Sequence, residues 1–122
     1  MSALRTVIAL AGVAVAGGTA HGATVVTPVL FPGTADQAFC IVLNAGPKDI
    51  EVGIEIVNAI TGTVHAGGGP ASTVSPGLID FTNDQTPVPS YCRVTTPSAK
   101  RVRVTLCMED GNGNCVATVT VP

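Results

Sequence analysis

Apolar and polar residues alternate with a period of two along most of this chain. In residues 50–56 four aliphatic side chains alternate with two glutamates and a glycine, and a similar alternation recurs in residues 101–106 and 116–121. Because the side chains of a β-strand point alternately to opposite faces, this pattern predicts strands with one buried and one exposed face. Residues Phe39–Leu43 are apolar at every position, so both faces of this segment are apolar, as expected of a central strand.

Shorter β-prone segments fill the rest of the chain, and turn signals such as Pro-Gly, Gly-Pro and a run of three glycines separate them. Strands at intervals of roughly 8–12 residues are typical of a sandwich or a barrel. We therefore predict an all-β fold, a single immunoglobulin-like antiparallel β-sandwich of about seven to eight short strands. The weaker predicted strands are Thr24–Val26, Val29–Phe31, Gly62–His65, Ala71–Val74, Gly77–Phe81 and Ser90–Thr95.

The resemblance to immunoglobulin-like domains is limited to architecture. The chain has no Trp to pack against a disulfide. Tyr91 adjoins Cys92 instead of preceding it by two residues, as a tyrosine corner requires. The residues therefore support a sandwich but identify no family.

Residues 1–23 have the order of charged, apolar and small residues that a signal peptidase recognises. Arg5 precedes the apolar run Val7–Ala16, and mostly small residues follow up to Ala23. The apolar run is about half of the ~20 residues that a membrane-spanning helix needs. We therefore predict a cleaved secretory signal peptide, a domain at residues 24–122, no membrane span, and a secreted or periplasmic bacterial protein.

Four cysteines follow this segment, and export would place them in an oxidising compartment. Cys107 ends one predicted strand and Cys115 begins the next, so the two lie near the loop end of a β-hairpin. Their pairing leaves Cys40 to bond Cys92 across a long loop. In the chain-entropy model the long loop contributes on the order of 4 kcal/mol and the short loop ~2.5 kcal/mol. The alternative, a four-cysteine metal site, lacks the short paired spacings that such sites use.

Composition and charge exclude some classes of function. The chain carries six Lys and Arg against eight Asp and Glu, a net charge of −2, and aromatic residues make up 3% of it. Nucleic-acid binding calls for a basic surface and stacking aromatics, so we predict no nucleic-acid partner. The many valines and few charges also argue against intrinsic disorder.

The turn before Cys115 resembles the opening of a calcium-binding loop. Asp110, Asn112 and Asn114 place side-chain oxygens at alternate positions, as the first ligands of such a loop do. The pattern then fails, because Cys115 stands where the loop needs glycine and Val121 stands where it needs a bidentate glutamate. We predict no metal site; the three oxygen-bearing residues are the calcium candidate, and hairpin turn chemistry is the simpler interpretation.

No catalytic motif stands out from the sequence. His65 is the one histidine after the predicted signal peptide, and without a nucleophile motif it is interpreted as a strand-end residue. Glu51 and Glu55 lie about 13 Å apart on one strand face, beyond the separations that glycosidase carboxylates use. We therefore predict no catalytic residues, no cofactor and no enzymatic activity.

Two segments offer surfaces for partners. Arg101 and Arg103 are predicted to share a strand face that is either solvated or binds an acidic polymer. The apolar segment Ala23–Phe31 is predicted to be the first strand, or else a donor strand through which copies of the chain self-associate. Pro28 restricts that segment to an edge or a bend.

These observations favour a secreted or periplasmic, non-enzymatic binding or structural module whose partner is a protein or a surface polymer. One alternative is an extracellular protease inhibitor, in which the hairpin loop Cys107–Cys115 presents Met108 or Glu109 to a protease cleft. Another is a small envelope hydrolase, which requires His65 to meet at least one of three acids, namely Asp49, Asp80 or Asp84.

Overall fold

Two antiparallel β-sheets pack face to face and form a β-sandwich, as predicted. The computed structural model describes residues 22–122, so almost all of the predicted signal peptide lies outside the described residues. A 3-10 helix occupies Ala99–Arg101, and no helix among residues 22–122 is long and apolar enough to cross a membrane. The strands are β1 (Ala23–Val26), β2 (Gln37–Asn44), β3 (Ile50–Asn58), β4 (Val64–Gly67), β5 (Ser72–Val74), β6 (Ile79–Asp84), β7 (Ser90–Thr96), β8 (Val102–Glu109) and β9 (Cys115–Val121).

The first sheet has the strand order β1-β7-β3-β4, and β5 pairs with the beginning of β3. The second sheet has the order β6-β2-β8-β9. Thus β3 and β7 are central in one sheet, and β2 and β8 are central in the other. The chain passes between the sheets several times, so each sheet combines strands that are distant in sequence. The immunoglobulin-like subtype stays a prediction.

The hydrophobic core lies between the sheets and consists of alternate residues of the central strands. β8 buries every second residue from Val102 to Met108, and β3 does the same from Ile50 to Ile56. This alternation is the one that the sequence predicted for both strands. Aliphatic side chains fill this core and no aromatic residue belongs to it, which agrees with the low aromatic content.

Both predicted disulfides are present. Cys40 of β2 bonds Cys92 of β7 with a Cα–Cα distance of 5.7 Å, so the bond joins the central strands of the two sheets through the core. Cys107 bonds Cys115 across the hairpin of β8 and β9, with a Cα–Cα distance of 5.4 Å. Two disulfides in a small domain are typical of an extracellular or periplasmic environment.

The predicted strand Val29–Phe31 is wrong, because only an isolated bridge forms there, at Leu30. β1 ends where Thr27 donates its N–H to the carbonyl of Cys92 at 3.1 Å and accepts the Cys92 N–H on its hydroxyl at 3.0 Å. Pro28 follows and has no N–H with which to continue the ladder. The predicted first strand is therefore shorter than its apolar pattern indicates, and it pairs with β7 of its own chain.

The prediction that Arg101 and Arg103 share a strand face is also wrong. Arg101 lies in the 3-10 helix, and only Arg103 lies on β8. The Arg101 guanidinium donates to the carbonyl of Lys48 at 2.7 Å and thereby ties the helix to the loop between β2 and β3.

Asn44, the last residue of β2, is fully buried and organises the loop that follows it. Its amide nitrogen donates to the carbonyls of Lys48 and Val74, each at 2.8 Å. Its amide oxygen accepts the N–H of Gly46 at 2.9 Å. One side chain thus satisfies three backbone groups at the point where the chain leaves one sheet for the other.

We expect Asn44→Ala to lower the free energy of unfolding by about 3 kcal/mol, because it removes three hydrogen bonds in a buried setting. Asn58→Ala is the matched control, since the Asn58 side chain accepts the N–H groups of Ile60 and Thr61 in an exposed turn. Asn58→Ala should lower the free energy of unfolding by about 1 kcal/mol or less. Urea unfolding measures both, and equal losses would contradict the role given to Asn44.

Candidate functional site

In the edge strand β6 the apolar side chains point outward and the polar side chains point toward the interior, the reverse of the usual arrangement. Its apolar residues Ile79 and Phe81 are 57% and 53% exposed. Its polar residues Asp80, Thr82 and Asp84 lie opposite three of the four buried positions of β2 and therefore face the gap between the sheets. A shift of one residue in register would exchange the two sides, so the observed pairing determines both surfaces.

The outer surface of β2 and β6, which we call the apolar face, carries five large hydrophobic side chains. Phe39, Ile41 and Leu43 of β2 are partly exposed there. Phe81 lies opposite Ile41 and Ile79 lies opposite Leu43. The rings of Phe39 and Phe81 are tilted against each other with centroids 5.8 Å apart. Contiguous exposed apolar patches are a common feature of interaction sites, so this face is a candidate for one.

The segment Phe39–Leu43 is apolar on both faces but is covered on one face only. β2 is central in its sheet, as predicted, but a sandwich of two layers covers only the inner side of each sheet. The unbroken apolar run was the signal for this surface. A chain of this length forms too few layers to bury both sides of the strand. The hydrophobic pattern alone does not indicate how many layers the fold has.

The free edge of β6 has a local hydrogen bond that occupies one of its donors. The backbone N–H of Phe81 donates to the carboxylate of Asp80 at 2.8 Å. An unpaired N–H on an edge strand is a site at which another strand can add, and charged side chains on edges oppose such pairing. This part of the edge is thus partly blocked, whereas Ile79 and Phe81 of the apolar face are exposed.

On the inner side of β6, Asp84 meets His65 of β4. The Nδ1 atom of His65 lies 2.9 Å from a carboxylate oxygen of Asp84, so the contact joins the two sheets. Asp84 is 6% exposed, and its other oxygen accepts the N–H and the hydroxyl of Thr86 at 3.0 and 3.2 Å. A carboxylate on Nδ1 orients an imidazole and leaves Nε2 for a proton or a ligand.

Of the three acids considered for a hydrolase, the structure brings Asp84 to His65. Asp49 lies in the loop before β3, at the opposite end of the sandwich. Asp80 lies about 13 Å from Asp84 along β6. Among residues 22–122, the His65 ring has Asp84 as its hydrogen-bond partner, so no nucleophile is oriented by Nε2.

A cleft of about 200 Å³ opens between the sheets beside β6. Its lining includes Val52 and Ile54 of the core together with Asp80 and Thr82 of β6. Gly67 closes one side with a φ of +81°, and a Cβ atom there would collide with the carbonyl oxygen of Ile54. Only glycine allows this close approach, so the shape of the cleft depends on Gly67.

Charges are distributed unevenly between the two ends of the sandwich. At the end where β2 stops and β8 begins lie four basic side chains, together with Asp49, Glu51 and Asp80. At the other end lie acids only, with no Lys or Arg among the described residues. The basic side chains are Lys48, Lys100, Arg101 and Arg103, and the acids of the opposite end are Asp36, Asp84, Glu109 and Asp110.

The remaining described cation, Arg93, is paired within the first sheet. Its Nε atom donates to the carboxylate of Glu55, on the neighbouring strand, at 2.7 Å. This hydrogen bond raises the pKa of Arg93 above its ordinary value. The pair lies on a partly exposed outer surface, where such contacts contribute little to stability. We therefore interpret Glu55 as a structural partner and not as a catalytic carboxylate.

The calcium candidate adopts an Asx turn. One oxygen of the Asp110 carboxylate accepts the N–H groups of Asn112 and Asn114 at 2.8 and 3.0 Å, and Gly113 has a φ of +84°. These contacts account for the residue types of the loop by turn chemistry. Among residues 22–122 no group of three or more His, Cys, Asp or Glu side chains could hold a metal.

Comparison with known proteins adds no assignment. No family model matches the chain, and neither the curated proteins nor the solved structures give a significant match. The geometry of the apolar face, the cleft and the His65–Asp84 contact is therefore the basis for any proposal of function.

We expect Asp84→Ala to lower the free energy of unfolding by about 2 kcal/mol, because this buried carboxylate accepts three hydrogen bonds. His65→Ala is the matched control. The His65 side chain is 28% exposed, so its loss should cost less than about 1 kcal/mol. A larger loss for His65→Ala in thermal or urea unfolding would contradict the anchoring role of Asp84.

We expect the Asp110 carboxylate to titrate below its ordinary pKa of 3.8, because the backbone N–H groups of Asn114 and Asn112 stabilise the charged form. The stabilisation is complete above the ordinary pKa and is lost as the pH falls through the lowered value. A carbon-detected NMR titration of the Asp110 side chain measures this pKa. Asp110→Asn should keep the turn and remove its acid sensitivity, whereas a pKa at or above 3.8 would contradict the turn geometry.

Proposed function

We propose that this protein is an exported, non-enzymatic binding or structural module. The N-terminal pattern of residues 1–23 supports export to the periplasm or the extracellular space, and the two disulfides are consistent with it. A bacterial origin is proposed from the same N-terminal pattern. The disulfide between the central strands of the two sheets supports the immunoglobulin-like subtype, in which a comparable bond occurs.

The apolar face is the observation that carries this proposal. Large aromatic and aliphatic side chains that adjoin each other on an outer surface lower solubility, so their presence there favours a partner that covers them. Aromatic residues such as Phe39 and Phe81 are also the type that is enriched in protein interfaces. A protein surface therefore suits this face better than a charged polymer does.

The His65–Asp84 contact favours a second candidate, a small hydrolase of the cell envelope. The contact has the orientation that a general base needs, since Asp84 bonds Nδ1 and leaves Nε2 available. A nucleophile or an oriented water would complete the chemistry. His65→Ala distinguishes the candidates, because it would abolish hydrolysis of ester or peptide substrates and would leave binding through the apolar face intact.

The inhibitor alternative receives less support from the residues it named. Met108 is fully buried in the core and cannot enter a protease cleft. Glu109 is still part of β8 and is not at the tip of the hairpin. The tip of the hairpin consists of residues 110–114, which carry no large side chain for a protease pocket.

We expect a photo-reactive phenylalanine analogue at position 81 to cross-link to a protein partner in cells that export this chain. The same analogue at position 60 is the matched control. Ile60 is 76% exposed but lies in the turn after β3, away from the apolar face. Adducts that depend on ultraviolet light should form from position 81, and should persist in a His65→Ala background. Equal adducts at both positions, or none at position 81, would contradict the proposed binding surface.

A further inference from the structure

We infer that the apolar face is covered by a second copy of this chain, in a dimer with a twofold axis that runs across the strands of the second sheet. The inference rests on the proposed function, because it names the occupant of the same face. Two features of the molecule favour this occupant, namely the distribution of charge around the face and the blocked edge of β6, and the size of the face sets the expected affinity.

Two opposite charges border the outer side of the second sheet. Arg103 and Glu109 lie on the same side of β8, at its two ends, and their separation is about 20 Å at the rise of an extended strand. Arg103 is exposed, and neither side chain has an oppositely charged group within 4.0 Å among residues 22–122. Between them the surface is uncharged, with Thr105 and the Cys107–Cys115 disulfide beside the apolar face.

A twofold interface must be complementary to itself, because the same surface is used by both copies. If two second sheets face each other about an axis that crosses the strands, the strand direction of one copy is reversed over the other. Arg103 of each copy then lies over the partner's Glu109, and the apolar faces lie over each other. An axis parallel to the strands would instead bring Arg103 to the same end of the interface as the partner's Arg103. Charge therefore selects the first arrangement.

The charges at the two ends of the sandwich favour the same arrangement. The reversed arrangement places the end that holds four basic and three acidic side chains near the end of the second copy that holds four acids and no Lys or Arg among residues 22–122. Such complementarity steers association and fixes its register more than it adds to affinity. The apolar side chains, with Phe81 at the middle of β6, would supply most of the free energy of binding.

The size of the second sheet limits the area of the interface and therefore the expected affinity of the dimer. Four strands spaced ~4.8 Å apart and about 26 Å long offer roughly 500 Å² on each copy, or about 1,000 Å² in total before side-chain relief is added. This area is near the lower limit for specific complexes. We therefore expect a dimer with a dissociation constant in the micromolar range.

The blocked edge of β6 favours contact through the face over contact through the edge. The Asp80 carboxylate already accepts the Phe81 N–H, so a strand of a second copy would have to displace it before pairing there. Face-to-face packing leaves this hydrogen bond in place. The second copy is therefore expected to lie over the sheet and not to extend it.

Sedimentation of the purified, oxidised protein over roughly 1 to 500 µM tests the inference. We expect a reversible monomer–dimer equilibrium and no larger species. Phe81→Asp should weaken dimerisation about a hundredfold, because it places a charge within the apolar contact. Ile60→Asp, at the exposed turn remote from the face, is the matched control and should leave the dissociation constant unchanged.

Charge reversal tests the direction of the axis and leaves the apolar contact intact. Arg103→Glu alone and Glu109→Arg alone should each weaken dimerisation about tenfold, since like charges then meet across the interface. An equimolar mixture of the two variants should form the dimer, because the carboxylate introduced at position 103 of one variant would face the guanidinium introduced at position 109 of the other. The doubly reversed chain should also dimerise normally.

Several results would overturn the inference. These are a monomer at all concentrations, a Phe81→Asp variant that dimerises normally, or single charge variants that do not recover on mixing. If the monomeric protein sediments together with phosphatidylglycerol vesicles, a lipid surface covers the apolar face instead of a second copy. A cross-link from position 81 to a different protein, without a homodimer, would overturn the dimer and leave the proposed binding function standing.

Discussion

The bond between Cys40 and Cys92 fixes the side of β2 that faces the core, and the rest of the structure depends on that choice. Both sulfur atoms lie in the interior, so Cys40 must point inward. Because side chains alternate along a strand, Phe39 and Ile41 must then point outward. The apolar face is therefore a consequence of the disulfide and the period of two. Substitutions in the core leave Phe39 and Ile41 on the outer surface as long as Cys40 keeps its position.

The same constraint extends to β6 through its pairing with β2. Residues opposite one another in an antiparallel pair lie on the same side of the sheet. Thr82 is opposite Cys40, and so it faces inward, while Phe81 faces outward beside Ile41. A single register thus creates both an apolar outer surface and a polar inner surface, where Asp84 meets His65. These two features of the candidate site have one physical origin.

Local patterns were sufficient for most of the elements and for both disulfides, because strand alternation and hairpin geometry are properties of neighbouring residues. They were insufficient where contacts between residues distant in sequence determine the structure. The proline after Thr27 ended β1 earlier than its apolar residues indicated. Nothing near Asn44 in sequence indicates that it bonds Val74. The contact of His65 with Asp84 was one of three considered, and only the crossing of the chain between sheets selects it.

The hydrogen bond from the Phe81 N–H to Asp80 has a consequence for aggregation. A β-rich edge with exposed phenylalanine and isoleucine is the kind of segment from which cross-β fibrils grow, since each added strand leaves a new edge for the next. By occupying an edge donor with its own carboxylate, the chain disfavours that open-ended growth. Contact through a flat surface, by contrast, ends once the surface is covered, so contact of that kind does not lead to fibrils.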